Sequence, residues 1–522
     1  MNQTKHLTTP ARWWSWRRSF EPAPLRRALE LLLSTAIVVA STVPLAHFIA
    51  IALQRVGYPY DLEWCEGGMI GHIRVILEGH QPYRQPSLDF TPYFYPPLYY
   101  YVSAIPAAFL GAGHLAPRLV SFASILGCFV LLGRWVRDET DDPVAGMAAV
   151  GLLSATYQLT GFWFELARVD SFFLLLVLTS HTLARSANTL PRAALIGVVI
   201  AASVYTKQLG IPLAVPVLFV LALRSFRLAV CSGLVAFSVI VVAALGFQLA
   251  SKGWFLYYVL DLPSRHEIEW QRFWPSTQTF FLSTTFPMTL AGLAVLGGLG
   301  FRRGAWSSWL FNAAFVALAC ASSFLPFLKS GGYPNGLIPT YTALALASGI
   351  AIGALRRARH GSPLGALGPQ LVACAVLVIQ FVVLDYDGKE ALPTSADLDA
   401  NRAVMARLER LEKPLFVTGS SFYTMTAGDR PVMTDTMGLI DIYKGRGPQA
   451  DQLDLQLKAA IRGHRFKTIV LDRAAGFLPP NIVDLIHREY TQRGSVLSGL
   501  PPDVIWPKSG ASLRPDTVWV AR

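Results

Sequence analysis

The sequence predicts a polytopic α-helical membrane protein, and three observations support this class. The chain of 522 residues is 53% hydrophobic, only 15% charged, and has a mean hydropathy of +0.41. Its apolar stretches recur at close to the ~20 residues that a helix needs to cross a bilayer. Its arginines gather in short groups between those stretches and form no continuous basic face. This pattern excludes an ordinary soluble domain, and it argues against a nucleic-acid partner despite the net charge of +12.

Eleven apolar windows are predicted to be membrane-spanning helices. They cover residues 29–52, 116–136, 143–162, 169–187, 192–206, 209–223, 228–250, 281–300, 305–327, 336–355 and 366–385. With a cytoplasmic N-terminus every inner connection is basic, as the positive-inside rule requires, and an odd number of spans exports the C-terminal segment. The inner arginines are Arg12, Arg17, Arg18, Arg26, Arg27, Arg134, Arg137, Arg185, Arg192, Arg224, Arg227, Arg302, Arg303, Arg356, Arg357 and Arg359.

The prediction divides the chain into residues 1–386, a membrane region, and residues 387–522, an exported segment. The first exported loop covers 54–115 and contains a further apolar run at 99–113. Its Pro106, the preceding "YPP" and the missing inner charges favour a juxtamembrane helix lying along the surface, although a span is the alternative reading. The exported segment carries short apolar runs between helix-like stretches, which predicts a small soluble α/β domain.

An acidic cluster follows the first span, in the stretch "YPYDLEWCEGG". A charge beside the bilayer core is costly, so Asp61, Glu63 and Glu66 are candidates for function. A carboxylate here can act as a general base that removes the proton of an acceptor hydroxyl, while neighbouring acids tune its pKa or hold the acceptor. The alternative is a solvated or helix-capping acidic stretch.

Cationic side chains lie in the same loop and in other exported loops. Converging cations suit a phosphate leaving group, because they stabilise its growing negative charge. For each of them the alternative is a contact with a lipid headgroup. The candidates for donor and phosphate binding are Lys207, Arg74, Arg84, Arg265, His266 and Lys329. Lys207 and Lys329 are favoured because each lies in a tight hairpin with glycine close by.

A further group of side chains is predicted to shape the substrate site. Arg168 and Asp170 lie at the outer start of the fourth predicted span, where mutual neutralisation is the alternative. Tyr95 can stack on a sugar ring or an isoprenoid, and an interfacial aromatic belt is the alternative. Tyr333 and Asn335 lie in the late stretch "KSGGYPNGLIP" and complete this group.

The order of these parts resembles the GT-C superfamily of membrane glycosyltransferases, closest in layout to protein O-mannosyltransferases and the lipid A aminoarabinose transferase. The resemblance is carried by "EGGMIGHIRVILEGHQPY", "YPPLYYY", "LARVDS", "YTKQLG" and "KSGGYPNGLIP". It implies inverting transfer of a sugar from a polyprenyl-phosphate donor to a hydroxyl of a glycan, glycolipid or protein. It also implies an outer-face site in a bacterial inner membrane, with Lys207 contacting the lipid phosphate and Asp170 shaping the site.

The chain departs from the family pattern at the acids. The family commonly has adjacent Asp and Glu before the glycine, whereas here Cys65 precedes Glu66 and the aspartate is Asp61. Asp61 is the favoured base because it comes first after the span, and Glu66 is the alternative. No cofactor is predicted, and a divalent cation held by the first-loop acids stays open. The competing classes are a transporter or flippase of a lipid-linked saccharide, and a non-catalytic subunit of envelope-polysaccharide assembly.

Overall fold

The structure, a computed structural model, describes residues 23–301, 306–358, 367–427, 434–472 and 478–522. Helices dominate the region up to residue 386. Their bounds are α1 (Ala23–Val56), α2 (Glu66–Leu77), α3 (Leu98–Leu110), α4 (Leu115–Thr140), α5 (Pro143–Ala155), α6 (Asp170–Ala184), α7 (Leu190–Val204), α8 (Gly210–Arg224), α9 (Phe226–Ala250), α10 (Trp254–Leu256), α11 (Leu262–Arg265), α12 (Phe273–Thr277), α13 (Phe286–Leu296), α14 (Trp306–Phe327), α15 (Ile338–Arg357) and α16 (Gly368–Val383).

Every predicted span window overlaps one of these helices. Within the described ranges, five helices are long and apolar enough to cross a membrane, and two sharply bent helix pairs raise that number to seven. Helices α5 to α8 are apolar but have only 13 to 15 residues. The count of eleven spans, the surface position of α3 and the orientation of the termini therefore stay predictions. Arg12, Arg17, Arg18, Arg302, Arg303, Arg359 and the side chain of Arg26 lie outside what the structure describes.

The helices pack around α15, and α9 lies at the periphery. The apolar window of the span that contains α15 is 89% buried, whereas that of α9 is 17% buried. Small residues of α15 allow this close packing: a Cβ at Gly349 would lie 2.8 Å from Val136 and 3.0 Å from Ala149. On α9, Val242 and Leu249 are 69% and 79% exposed. So large an apolar face is compatible with lipid rather than water.

The C-terminal segment contains a four-stranded mixed sheet in the order β1-β2-β4-β3. Strands β1 and β2 are parallel, and β4 pairs antiparallel with both β2 and β3. The bounds are α17 (Ser395–Glu409), β1 (Leu415–Val417), α18 (Ser421–Thr426), α19 (Thr436–Gly445), α20 (Pro448–Arg462), β2 (Thr468–Asp472), α21 (Pro480–Glu489), β3 (Tyr490–Ser495) and β4 (Pro515–Ala521). The runs "PLFVTG", "KTIVLD" and "DTVWVAR" correspond to β1, β2 and β4. Strand β3, "YTQRGS", lacks an apolar run and was not predicted.

The C-terminal segment packs against the loops of the membrane region that are predicted to be exported. One hydrophobic cluster joins Tyr83 of the first loop and Leu262 of α11 with Leu439 and Ile442 of α19. The backbone amides of Lys508 and Ser509 donate to the Leu62 carbonyl oxygen at 2.8 and 3.1 Å. The division at residue 386 stays a prediction, but this contact surface brings the C-terminal segment to the first-loop acids.

Candidate functional site

A cavity of about 300 Å³ lies where these loops meet the C-terminal segment. Its walls come from the first loop, the turns before α6 and α8, the segment after α11, the loop before α15, and α19. The charged side chains and the one histidine that line it are Glu63, Arg168, Lys207, His266, Lys329 and Asp441. The aromatic lining is Trp64, Phe94, Tyr95, Trp163, Phe327 and Tyr333. This mixture of an apolar wall with a few convergent polar groups is typical of a small-molecule site.

Glu63 is the first-loop acid that lines this cavity. It is fully buried, and neither carboxylate oxygen has a hydrogen bond of regular geometry among the described residues. Arg168 Nη1 lies 3.6 Å from its Oε2. Burial raises the pKa of Glu63 to about 8, because the loss of hydration outweighs the attraction of Arg168 and the nearby Cys65 amide and thiol. A carboxyl group that exchanges its proton near neutral pH is suited to general base catalysis.

Glu66 has the opposite environment, although it is equally buried. Arg118 donates to both of its carboxylate oxygens, at 2.8 and 2.5 Å. The backbone amides of Leu62 and Ala167 donate to the same oxygens at 2.8 Å each. Burial alone would raise the pKa of Glu66, but these donors and above all the Arg118 guanidinium lower it to about 2. Glu66 therefore acts as a buried structural anchor between the first loop, α4 and the turn before α6.

Asp61, the base favoured by the sequence, points to a smaller neighbouring cavity between the first loop and the C-terminal segment. Its carboxylate accepts from Ser420 Oγ and lies 2.7 Å from His114 Nε2. Potential ligand atoms of Asp61, Glu66 and His114 lie within 4.8 Å of one another, as a metal site requires. The residues nevertheless fit a divalent cation poorly, because both oxygens of Glu66 already hold the positively charged Arg118.

Asp170 organises one wall of the cavity. Its Oδ1 accepts from Lys207 Nζ at 2.6 Å, and its Oδ2 accepts from Trp163 Nε1 and Asn335 Nδ2 at 3.0 Å each. These four residues come from the turn before α6, the first turn of α6, the α7–α8 hairpin and the loop before α15. The hairpin thus places the Lys207 charge at the cavity, where the sequence predicted a phosphate contact.

Arg168, next to this group, spans the space between Glu63 and the aromatic wall. Its Nη2 donates to the Tyr95 hydroxyl at 3.0 Å, and its guanidinium lies 5.0 Å from the centre of the Trp163 ring. Its Nε and Nη1 have no hydrogen-bond acceptor within the described ranges. Nε is therefore a buried donor available to a bound ligand, while Nη1 faces the Glu63 carboxylate at 3.6 Å.

Lys329 and His266 line the opposite side. Lys329 Nζ donates to the Pro263 carbonyl oxygen at 2.8 Å and forms no ion pair with any residue that the structure describes. His266 Nε2 lies 3.1 Å from the Asp441 carbonyl oxygen. Burial and the nearby lysines lower the pKa of His266, so its ring is neutral at neutral pH. The free positive charge on this side is that of Lys329.

Three predicted phosphate ligands lie away from the cavity. Arg74 Nε donates to the Ala112 carbonyl oxygen at 3.2 Å, and the Arg84 guanidinium lies 4.8 Å from the centre of the Phe90 ring. Arg265 forms two hydrogen bonds with Asp261, four residues earlier. Of the substrate-shaping candidates, four line the cavity: Tyr95, Arg168, Tyr333 and Asn335. Asp170 lies behind them and accepts hydrogen bonds from Lys207 and Asn335.

The glycines of the "EGG" stretch have a structural role. A Cβ at Gly68 would fall on the Tyr93 ring, and one at Gly67 would lie 2.9 Å from the Phe422 backbone nitrogen. Side chains at either position would push α2 away from the first loop and from α18. The glycines thus keep the acidic stretch pressed between the membrane region and the C-terminal segment.

Asp441 and Arg118 are the residues that sequence analysis missed. Asp441, in the apolar stretch "GLIDIYKG", lines the cavity from α19 and is 6% exposed. Arg118 sits inside a predicted span and is fully buried. An ionisable residue within an apolar stretch is the signal that would have marked both.

Solved structures with this fold include two of ArnT from Cupriavidus metallidurans. The ArnT structure bound to undecaprenyl phosphate matches with a TM-score of 0.55 at 14% identity, over 92% of this chain and 97% of that chain. The apo state of ArnT matches with a TM-score of 0.55 at 13% identity and the same coverage. The archaeal oligosaccharyltransferase AglB from Archaeoglobus fulgidus, in complex with an inhibitory peptide and a dolichol-phosphate, matches with a TM-score of 0.51 at 10% identity. That match covers 84% of this chain and 69% of that chain.

No protein-family model matches the chain, and no curated protein matches it by sequence. ArnT and AglB are both members of the GT-C superfamily. The chain therefore has the GT-C fold, and the resemblance predicted from the sequence is confirmed at the level of the fold. The match to ArnT extends over nearly the whole of both chains, including the C-terminal segment that contributes to the cavity.

Proposed function

We propose that the protein is a membrane glycosyltransferase that moves a sugar from a polyprenyl-phosphate donor to an acceptor hydroxyl in this cavity. The observation that carries the proposal is one buried cavity that combines Glu63, a carboxylate without regular hydrogen bonds, with cations from separate loops, Arg168, Lys207 and Lys329. The fold supports it, since solved structures with this fold hold undecaprenyl phosphate or a dolichol-phosphate.

Glu63 is the general base in the proposed reaction. Its ionised carboxylate takes the proton of the acceptor hydroxyl while the acceptor oxygen bonds to the anomeric carbon of the sugar. The bond between that carbon and the phosphate oxygen breaks, and its electron pair leaves with the phosphate. A single displacement of this kind inverts the configuration at the anomeric carbon.

The cations stabilise the phosphate as it leaves. Charge–charge interactions are stronger in a cavity from which water is largely excluded, so fixed donors there act more strongly than they would in water. Lys329 supplies a charge that no described carboxylate offsets, Arg168 supplies a guanidinium whose Nε has no acceptor among the described residues, and Lys207 is held in place by Asp170.

The proposed site lies on the outer face of a bacterial inner membrane, with the N-terminus cytoplasmic and the C-terminal segment extracytoplasmic. The helix ends remote from the cavity support this orientation, because Arg185, Arg224 and Arg356 gather there. Arg185 pairs with Glu139, Arg356 Nε donates to Asp142 at 2.6 Å, and Arg224 donates to the Ala184 carbonyl oxygen at 2.8 Å. The acceptor is then a glycan, glycolipid or protein of the cell envelope, and the transferred group a hexosyl or pentosyl unit.

The proposal is tested with purified protein in liposomes and radiolabelled sugars on undecaprenyl phosphate, with an envelope extract as acceptor. We expect label to move from a lipid donor and not from a nucleotide sugar. Transfer from nucleotide sugars alone, or no binding of any lipid donor, contradicts the proposal. Movement of the lipid donor across the bilayer without transfer supports the flippase alternative.

The reaction rate is expected to rise with pH. The pKa of Glu63 is raised to about 8 and only the ionised form accepts a proton, so the rate at low acceptor concentration increases about tenfold per unit below that pH and levels off above it. Initial rates measured across this range check the prediction. A rate that falls as the pH rises toward 8 excludes Glu63 as the base.

Lys329→Gln is expected to weaken the binding of undecaprenyl phosphate about tenfold, the loss that follows from removing one charge-assisted hydrogen bond. The variant keeps a donor for the Pro263 carbonyl oxygen, so the local fold is preserved. Dissociation constants measured by titration check it. The exposed Lys252→Gln is the matched control, and an equal loss in both variants points to general surface attraction rather than a phosphate site.

A further inference from the structure

Asp441 brings a second acid to the cavity from the C-terminal segment. It is 6% exposed, and its Oδ2 has no hydrogen-bond partner in the part of the chain that the structure describes. Its backbone oxygen is held near His266 Nε2 at 3.1 Å, which fixes this turn of α19 against the cavity. A buried carboxylate without a partner destabilises the fold unless a ligand supplies one. The Asp441 carboxylate is therefore a candidate for ligand binding.

The surroundings of Asp441 indicate what kind of ligand group it can take. The described residues provide no ion pair for it, and burial raises its pKa to about 8 despite the attraction of Lys444 and Arg168. The phosphate-binding cations have other partners, since Lys207 is paired with Asp170 and Lys329 with the Pro263 carbonyl oxygen. A buried carboxyl group that forms no ion pair with these cations suits neutral hydroxyl groups, which donate to it and accept from it.

The size of the cavity is compatible with a bound sugar. Small-molecule sites cover about 300 to 1,000 Å³, and this cavity, at about 300 Å³, lies at the lower end of that range. The C-terminal segment contacts its Tyr333 side, where the Ser509 hydroxyl donates to the Gly161 carbonyl oxygen and the Gly510 amide donates to the Tyr333 hydroxyl at 3.0 Å. One sugar ring with its phosphate fits such a space.

We propose that Asp441 binds the hydroxyl groups of the sugar that the donor carries. This inference rests on the proposed glycosyltransferase function and names the residue that recognises the sugar. Sugar recognition is then divided between the two parts of the chain: the membrane region holds the phosphate, and the C-terminal segment holds the ring. A site built to hydrogen-bond a hydroxyl discriminates strongly against ligands that lack it, because its buried polar group is otherwise left unpaired.

The test compares binding of undecaprenyl phosphate with binding of undecaprenyl phosphate that carries one hexose or one pentose. In the wild-type protein the best sugar is expected to improve affinity, and Asp441→Asn is expected to lose about tenfold or more of that sugar-dependent gain. Binding of the bare lipid should stay unchanged. Asp399→Asn, which alters an exposed acid of α17 that is paired with Arg402, is the matched control.

The outcomes separate a failure of the proposed function from a failure of the inference about Asp441. If the wild-type protein binds no lipid donor, the proposed function and this inference both fail. If it transfers a monosaccharide and Asp441→Asn behaves as wild type, or loses bare-lipid binding equally, the inference fails while the function stands. If that variant does not fold, Asp441→Glu replaces it and is expected to lose the same sugar-dependent gain.

Discussion

Glu63→Gln is expected to lower the rate of sugar transfer by about 10²- to 10⁴-fold, the contribution that a positioned general base makes. Glutamine has nearly the same shape but cannot take the acceptor proton. Lipid binding should persist, because the cations of the cavity are unchanged. Initial transfer rates and donor dissociation constants, measured on the same preparation, separate the two effects.

The stability of this variant provides an internal check. The pKa of Glu63 in the fold is about 8, above its usual value of 4.5, so the native state holds the proton and loses stability as the pH rises from 4.5 through 8. Glu63→Gln should therefore melt at the same temperature as wild type at low pH and at a higher one near pH 9. Glu267→Gln, an exposed acid paired with Arg446, is the matched control and should change neither rate nor melting.

The Asp61→Asn variant settles which acid of the first loop is the base. If Asp61→Asn abolishes transfer and Glu63→Gln does not, the base is Asp61 and the assignment from the cavity is wrong. Loss of transfer in Glu63→Gln alone, with both proteins folded, supports Glu63.

Glu66→Gln is expected to destabilise the fold by about 3–5 kcal/mol, because it leaves the buried Arg118 without its counter-charge. The neutral amide also accepts more weakly from the amides of Leu62 and Ala167. Thermal unfolding in detergent at neutral pH measures the effect. If Glu66→Gln melts like wild type but loses transfer, Glu66 is catalytic and its structural role is refuted.

The ion pair between Glu66 and Arg118 also predicts that the stability of the fold falls in acid. Because the pKa of Glu66 is lowered to about 2, its contribution to stability is present above pH 4.5 and is lost as the pH falls toward 2. Wild-type protein should therefore show an acid transition in this range that Glu66→Gln lacks. Glu267→Gln, whose acid is exposed, should keep the transition.

The sequence predicted the helices well but did not distinguish the environments of the acids. Apolar windows identify helices because burial in lipid depends on composition over about 20 residues, which a single chain displays. The difference between Glu63 and Glu66 depends on partners far along the chain, Arg168 and Arg118, and three acids within six positions look alike without them. Asp61 was preferred for its order in the sequence, and the fold turned it toward His114 and Ser420 instead.

The cationic candidates also differ in how well the sequence predicted their positions. Lys207 and Lys329 reach the cavity because glycine-bounded hairpins hold them at the ends of helices, and that local pattern was visible. Arg74, Arg84 and Arg265 also lie in predicted exported loops, but a carbonyl oxygen, an aromatic ring and a neighbouring aspartate engage them. Loop membership alone therefore did not specify the direction of a side chain. Asp441 was missed because its cavity wall forms only when α19 packs on the first loop.

The contact between Leu62 and the amides of Lys508 and Ser509 has a consequence for biogenesis. Those two residues follow every membrane helix in chain order, yet they pair with the segment that carries the proposed base. A partly synthesised chain can insert all of its helices and still lack the contacts that its last residues make with the first loop. The proposed activity toward the lipid pool then begins only after the final stretch of polypeptide has been delivered and docked.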